Sequence, residues 1–287
     1  MSAVARSRVE VFVLPVVSGG RFCLLRRPTN ATAARGSILF VHPFAEEMNK
    51  SRRAIGVAAR GLAQLGWTIL QIDLDGCGDS TGDFSQATWS GWQDDVCRAA
   101  DWLRQNAPPV EILWGLRLGA LLAASVIERI EPAPDLLLWQ PVLSGKAHLT
   151  QFLRLKAAEE MLGQAGGQGA TARLRAQLVA GEHVQVAGYL LGPGLALGID
   201  KADFKLPEGY RGRVAWLESV AAAPTVLAAA SEQRVQALTT AGQSIVTQVV
   251  CGPSFWQSTE IEEASALTDA TLTLLSHPAS NRETARA

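Results

Sequence analysis

The sequence has few of the residues that build disulfide frameworks or metal sites. Only four cysteines and four histidines occur among 287 residues, with no C-x-x-C pair and no H-E-x-x-H motif. Scattered ligands of this kind do not indicate zinc. We therefore predict no metal and no cofactor, reduced thiols and a cytoplasmic location.

The sequence also lacks a charge excess and a long hydrophobic run. Its 26 basic and 27 acidic residues give a net charge of −1, so nucleic acid is not an expected partner. No apolar run approaches the ~18 residues that span a bilayer, and no transmembrane segment is predicted. Glu10 and Pro15 interrupt the apolar N-terminal stretch, which favours a first strand over a signal peptide.

Short apolar runs alternate with amphipathic stretches along most of the chain. Continuous runs suit strands that are buried on both faces of a parallel sheet. We predict such strands in six segments, which are 37–41, 67–72, 110–114, 135–139, 214–217 and 245–250. Segments 9–14 and 22–26 are expected to form an antiparallel hairpin at the sheet edge. The alternation predicts an α/β fold with a mostly parallel, doubly wound sheet.

Helical patterns fill the intervals between these strands. One helix is expected to begin at a Ser51 cap and to end at Leu65. The other predicted helices are 89–103, 118–130, 231–240 and 261–275.

One stretch breaks the alternation of strands and helices. Residues 145–212 show no pattern of a core strand. Helical patterns occur instead at 148–162 and 170–180, on either side of a glycine-rich segment, 163–169. We predict a helical cap here, inserted into a core of residues 1–144 and 213–287. Ligands in such sheets bind at the carboxyl edge of the strands, which this cap would cover.

Three turns carry the strongest functional signal. The first, His42-Pro43-Phe44, follows a predicted strand, and the second, Asp73 to Ser80, has the pattern D-x-x-G-x-G-x-S. The third, Gly115-Leu116-Arg117-Leu118-Gly119, has the spacing of a nucleophile elbow with arginine at its centre.

In these turns the sequence resembles the α/β-hydrolase superfamily. More narrowly, it is similar to the second type of exosortase A system-associated hydrolase, in the segments 42–53, 115–119, 138–142, 151–154 and 252–256. The resemblance implies an α/β-hydrolase fold with a cap. It also implies exopolysaccharide or exosortase pathway proteins as partners.

An arginine at the elbow removes the attacking atom. A guanidinium stays protonated and cannot attack a carbonyl, but it can bind a carboxylate or phosphate through two hydrogen bonds. The amides of Phe44 and Leu118 are candidates for an oxyanion or anion pocket. Asp79, Ser80, Gln140 and Trp256 are further candidates for the ligand pocket, although a turn hydrogen bond is the preferred role of Ser80.

The other positions of a catalytic triad are also altered. Glu218 is a plausible acid, but no histidine follows the last predicted strand. His42 is a candidate base or, more simply, a hydrogen-bonded turn residue. A structural role for Arg117, tied to a carboxylate such as Glu218, is weighed equally with a role in anchoring a ligand. His148, at the start of the cap, is expected on the surface.

Three functions remain open at this point. The leading hypothesis is binding of an anionic acyl or glycan-type small molecule without serine-triad catalysis. The alternative is a hydrolase of esters, thioesters or acyl-glycans in which Glu218, Asp79 or His42 activates water and Arg117 stabilises the oxyanion. The third is an interaction module that docks through its cap. Whether the chain is an enzyme is therefore undecided.

Overall fold

An eight-stranded, mostly parallel sheet forms the centre of the molecule. The computed structural model describes residues 8–17, 19–28, 34–162 and 169–276. The strands of the sheet are β1 (Arg8–Val16), β2 (Gly19–Arg27), β3 (Gly36–Val41), β4 (Trp67–Ile72), β5 (Val110–Leu116), β6 (Asp135–Trp139), β9 (Val214–Val220) and β10 (Ile245–Cys251). They lie in the order β1-β2-β4-β3-β5-β6-β9-β10.

The pairing confirms the predicted hairpin and doubly wound sheet. β2 runs antiparallel to both β1 and β4, whereas the remaining neighbours are parallel. All six residues of β3 are buried, as expected for a strand covered on both faces. The prediction of a buried strand at 245–250 was wrong in its burial, because β10 is the edge strand and is largely exposed.

Helices cover both faces of this sheet. They are α1 (Glu46–Gln64), α2 (Trp89–Asn106), α3 (Leu118–Ser125), α7 (Ala229–Thr240) and α8 (Ser265–Ser276). One apolar core lies between the sheet and helices α1 and α8, and a second lies between the sheet and helices α2 and α3. The predicted helix 118–130 ends at Ser125 and is followed by a 3-10 turn, Ile127–Arg129.

The start of α1 differs from the sequence prediction. The helix begins at Glu46, directly after Ala45, whose φ of 50° ends the strand-to-helix turn. Ser51 is therefore inside the helix and caps nothing, and its hydroxyl donates to the carbonyl oxygen of Glu47 at 2.6 Å. The consequence for function is that both glutamates at positions 46 and 47 lie in the first turn of α1.

The stretch predicted as a cap contains α4 (Gly145–Leu162), α5 (Ala170–Val179) and α6 (Pro193–Lys201). It also contains a small hairpin, β7 (Val184–Val186) with β8 (Tyr189–Leu191), which the sequence prediction missed. A bridge between Ser144 and Asp203 joins the residue before α4 to the segment that follows α6. The glycine-rich segment lies, apart from Gly169, outside the described residues, and the division at 145–212 stays a prediction.

Candidate functional site

The elbow between β5 and α3 has the sharp backbone that its sequence pattern predicts. Arg117 has φ 55° and ψ −120°, a conformation that costs an ordinary residue about 1–3 kcal/mol. A Cβ atom on Gly115 would lie 2.3 Å from Cα of Ala120, and one on Gly119 would lie 2.2 Å from the carbonyl oxygen of Val41. The two glycines thus permit the close approach of strand, helix and the turn after β3.

The Arg117 side chain forms an ion pair with Glu47, which the sequence analysis did not name as its partner. Its Nε donates to Oε1 of Glu47 at 3.2 Å, and the two side chains are only 14% and 15% exposed. Its Cζ lies 5.5 Å from the centroid of the Trp256 ring, within the range of a cation–π interaction. Arg117 does pair with a carboxylate, but the carboxylate is that of Glu47 and not of Glu218.

Glu47 is held in a poorly solvated position. Burial raises the pKa of its carboxyl group, and the charge and hydrogen bond of Arg117 act in the opposite direction. Its second oxygen, Oε2, is buried and has no hydrogen-bond partner among the described residues. One oxygen of the carboxylate therefore pairs with Arg117, and the other is buried without a partner.

His148, in the first turn of α4, is the second residue whose position was predicted wrongly. It is only 8% exposed rather than on the surface, and its ring packs edge-on against Phe44 with centroids 5.7 Å apart. Neither ring nitrogen has a hydrogen-bond partner in the described structure. Burial lowers the pKa of His148 to about 3, and the charge of Arg117 adds to this shift, so the imidazole is neutral at pH 7.

A cavity of about 420 Å³ adjoins these residues. This size lies in the range of roughly 300–1,000 Å³ that is usual for small-molecule sites. Its walls come from the first turn of α1, from α4 and from the loop after β10, and they consist of Phe44, Glu46, Glu47, Lys50, His148, Gln151, Phe152, Leu155, Trp256 and Gln257. Arg117 is in contact with two of these residues, Glu47 and Trp256.

Three of the predicted site residues therefore meet here, namely Arg117, Phe44 and Trp256. Phe44 and Leu118 are both almost fully buried, each beside its turn. The structure brings the two turns together, because Gly119 abuts the backbone of Val41 and His42. The use of their amides as an anion pocket remains a prediction.

His42 and Glu218 have partners away from the cavity. Nδ1 of His42 lies 2.7 Å from the carbonyl oxygen of Pro43, and Nε2 accepts from the amide of Leu74 at 3.2 Å. Glu218 accepts from the indole of Trp216 at 2.8 Å and from the amide of Ala228 at 3.4 Å. Both residues hold loops, which leaves neither well placed to activate water.

The remaining candidates also lie outside the cavity wall. Asp79 is exposed on the turn after β4, and Ser80 in the same turn accepts from the amide of Phe22 at 2.8 Å and donates to the carbonyl oxygen of Asp73. Gln140 accepts from the amide of Ser219 at 2.9 Å. Burial, reinforced by Asp73, raises the pKa of Cys77 and keeps it a thiol, which argues against a displaced cysteine nucleophile.

Two further kinds of feature, a metal site and a membrane-spanning helix, are absent from the described residues. No group of three or more His, Cys, Asp or Glu side chains in the described ranges is placed to hold a metal ion. No helix in these ranges is long and apolar enough to cross a bilayer.

The fold is shared with several solved hydrolase structures. The Est1E protein of Butyrivibrio proteoclasticus, solved with ferulic acid, superposes with a TM-score of 0.63 at 13% identity, covering 92% of this chain and 97% of that one. A proline iminopeptidase-related protein of Thermus thermophilus gives 0.55 at 18% identity, covering 93% and 97%. A lidless α/β serine hydrolase of Xanthomonas campestris gives 0.53 at 17%, covering 87% and 86%.

The chain has the α/β-hydrolase fold. Identities this low show the fold alone and transfer no activity. No family model matches the chain. An uncharacterised protein of Rickettsia prowazekii (strain Madrid E) is 30% identical over 105 residues, which are 36% of this chain and 43% of that protein.

Proposed function

We propose that this α/β-hydrolase-fold protein binds a small acyl or glycan-type ligand beside its elbow and does not hydrolyse it with a serine triad. The observation that carries the proposal is Arg117, which occupies the elbow tip and is paired with Glu47 at the edge of a cavity. A permanently protonated guanidinium supplies hydrogen bonds and charge, but no attacking electron pair.

The other parts of the site support binding over catalysis. The loop after β10 carries no histidine. His148 comes from α4 instead, and its pKa of about 3 makes it a weak general base at neutral pH, because catalytic bases work best near the operating pH. Hydrolysis through Glu218 or His42 is the less favoured alternative, since both side chains are hydrogen-bonded to loops.

A covalent probe tests the proposal directly. The full chain is incubated with a fluorophosphonate and its intact mass is compared with that of a serine esterase treated in parallel. We expect no mass increase and no turnover of short-chain and long-chain esters or thioesters above the background rate. Stoichiometric labelling of one serine, or ester turnover that Arg117→Met abolishes without unfolding the protein, would contradict the proposal.

The resemblance to exosortase A system-associated hydrolases extends the proposal to partners. On that ground, exopolysaccharide or exosortase pathway proteins are the first candidates to bind this chain. Co-purification with one of them, compared between the unaltered protein and Arg117→Met, separates two roles. Loss of the partner in the variant implicates the elbow site, and retention implicates another surface.

A further inference from the structure

Four buried polar atoms in the cavity wall have no hydrogen-bond partner among the described residues. They are Oε2 of Glu47, both ring nitrogens of His148 and Nε1 of Trp256. All three residues belong to the wall of the same cavity. Unpaired buried polar atoms cost folding free energy, and each one in a native protein calls for an explanation such as an absent ligand.

The charges around the cavity cancel one another. Glu46 and Glu47 are matched by Lys50 and by Arg117, and His148 is neutral at pH 7. An anionic ligand therefore meets no net attraction, and it is repelled by the Glu47 carboxylate beside Arg117. This arrangement differs from an arginine site that is dedicated to a carboxylate or phosphate.

The unpaired atoms include both hydrogen-bond donors and acceptors, so a ligand that satisfies all of them has to accept and to donate. The Trp256 indole only donates, the Glu47 oxygen only accepts, and a neutral imidazole does one of each. The hydrogen bond from Arg117 to Glu47 uses Nε alone, so Glu47 does not occupy the terminal guanidinium nitrogens. An ionised carboxylate only accepts and would leave Glu47 unpaired, whereas a hydroxyl group both donates and accepts.

The rest of the wall is apolar. Phe44 and Phe152 pack edge to face with centroids 4.9 Å apart, and Leu155 is next to them along the cavity. Such surfaces suit the C–H faces of a ring whose edges carry hydroxyl groups. A cavity of about 420 Å³ gives room for a small ring with its substituents.

We infer that the cavity recognises an uncharged, hydroxyl-rich ligand, a sugar ring or similar polyol, through Arg117, Glu47, His148 and Trp256. The inference rests on the proposed function and selects the glycan over the anionic acyl group as its ligand. The inference includes a local opening of the cavity wall on binding, because the unpaired atoms are covered in this structure.

Nuclear magnetic resonance of the ¹⁵N-labelled full chain tests the ligand class. The probes are methyl glucoside, methyl mannoside and maltose, with glucuronate, hexanoate and inorganic phosphate as the anionic counterparts. We expect at least one neutral sugar to shift both the Trp256 indole signal and the His148 ring nitrogens. Glucuronate is expected to bind about tenfold or more weakly than the matching neutral sugar, because its carboxylate is repelled by the Glu47 carboxylate.

Two glutamine variants test whether the carboxylate of Glu47 contributes to the binding of neutral sugars. Glu47→Gln removes the charged acceptor, so neutral-sugar affinity should fall about tenfold. Glu128→Gln is the matched control, since it removes the same charge at an exposed position that does not line the cavity, and a change below about twofold is expected. Thermal melts confirm that both variants fold.

The opposite outcomes overturn the inference. They are tighter anion binding in Glu47→Gln together with anion preference in the unaltered chain, or the absence of any neutral-sugar shift at tens of millimolar. Neither outcome touches the proposal of non-covalent binding, which fails instead on fluorophosphonate labelling of a serine.

Discussion

Two buried histidines near Phe44 show opposite uses of the same side chain. His42 lies at the end of β3 with both ring nitrogens hydrogen-bonded, to the carbonyl oxygen of Pro43 and the amide of Leu74. His148 lies in α4 with neither nitrogen bonded to any described residue. Burial lowers the pKa of both, so both rings are neutral at pH 7.

The difference separates the structural part of the molecule from its candidate site. His42 joins the turn after β3 to the turn after β4, and its hydrogen bonds offset the cost of its burial. His148 has no such compensation within the described structure and lines a cavity. We therefore take a buried polar group whose hydrogen bonds are made as part of the scaffold, and one without partners beside a cavity as part of the candidate binding site.

The largest expected effect is that of His42→Phe. The substitution leaves the amide of Leu74 and the carbonyl oxygen of Pro43 without their partner, and the free energy of unfolding should fall by about 2–4 kcal/mol. Urea denaturation measures it. His183→Gln, on an exposed histidine, serves as a control with an expected change within about 0.5 kcal/mol. An unchanged free energy of unfolding in His42→Phe would contradict the structural role given to the hydrogen bonds of His42.

A somewhat smaller loss is expected for Arg117→Met. It leaves the Glu47 carboxylate buried and unpaired, which should lower the free energy of unfolding by about 2 kcal/mol at neutral pH. The double variant Arg117→Met/Glu47→Gln should recover most of this loss, because no buried charge remains. Equal losses in the single and double variants would show that the ion pair is not what sets the energy of the elbow.

The pH dependence of stability sharpens the contrast between the two histidines. The folded-state pKa of His148, about 3, lies below the unfolded value of 6.5. The unfolded chain therefore binds more protons, and stability is lost as the pH falls from 6.5 towards 3. Between about pH 7 and about pH 5.5 this one group should account for a loss of about 1 kcal/mol.

The variant His148→Phe isolates that contribution. The free energies of unfolding of the unaltered chain and of the variant are compared at both pH values. The variant should lose about 1 kcal/mol less than the unaltered chain over this interval, while His42 contributes equally to both. Parallel pH profiles would mean that His148 takes up its proton in the folded protein as readily as in the unfolded chain.

The sequence predicts the scaffold better than the site. Continuous apolar runs located β3 to β6 and β9, and the glycine spacing located the elbow, because both are local patterns. The hairpin β7–β8 was missed because its turn residues, Ala187 and Gly188, are not the Asn-Gly or Asp-Gly pair that usually marks a two-residue turn. In the structure both have the positive φ that such a turn requires. β10 is exposed because it lies at the edge of the sheet, and the order of the strands cannot be predicted from a local sequence pattern.

The missed site residues depend on contacts between distant parts of the chain. Glu47 meets Arg117 across 70 residues, and His148 reaches the elbow because α4 folds back over it. One signal was available, since two glutamates directly follow the turn that borders the elbow in this fold. This signal is weak by itself, because a helix N-terminus favours acidic residues in any case.

The stability of His148→Phe at neutral pH tests most directly the claim that this site is kept open for a ligand. Phenylalanine removes two unpaired buried nitrogens and fits among Phe44 and Phe152, so the free energy of unfolding should rise by about 1 kcal/mol while the neutral-sugar shift of the Trp256 indole disappears. A fall in stability of similar size would show that the imidazole is already satisfied in the folded protein, and would contradict the account.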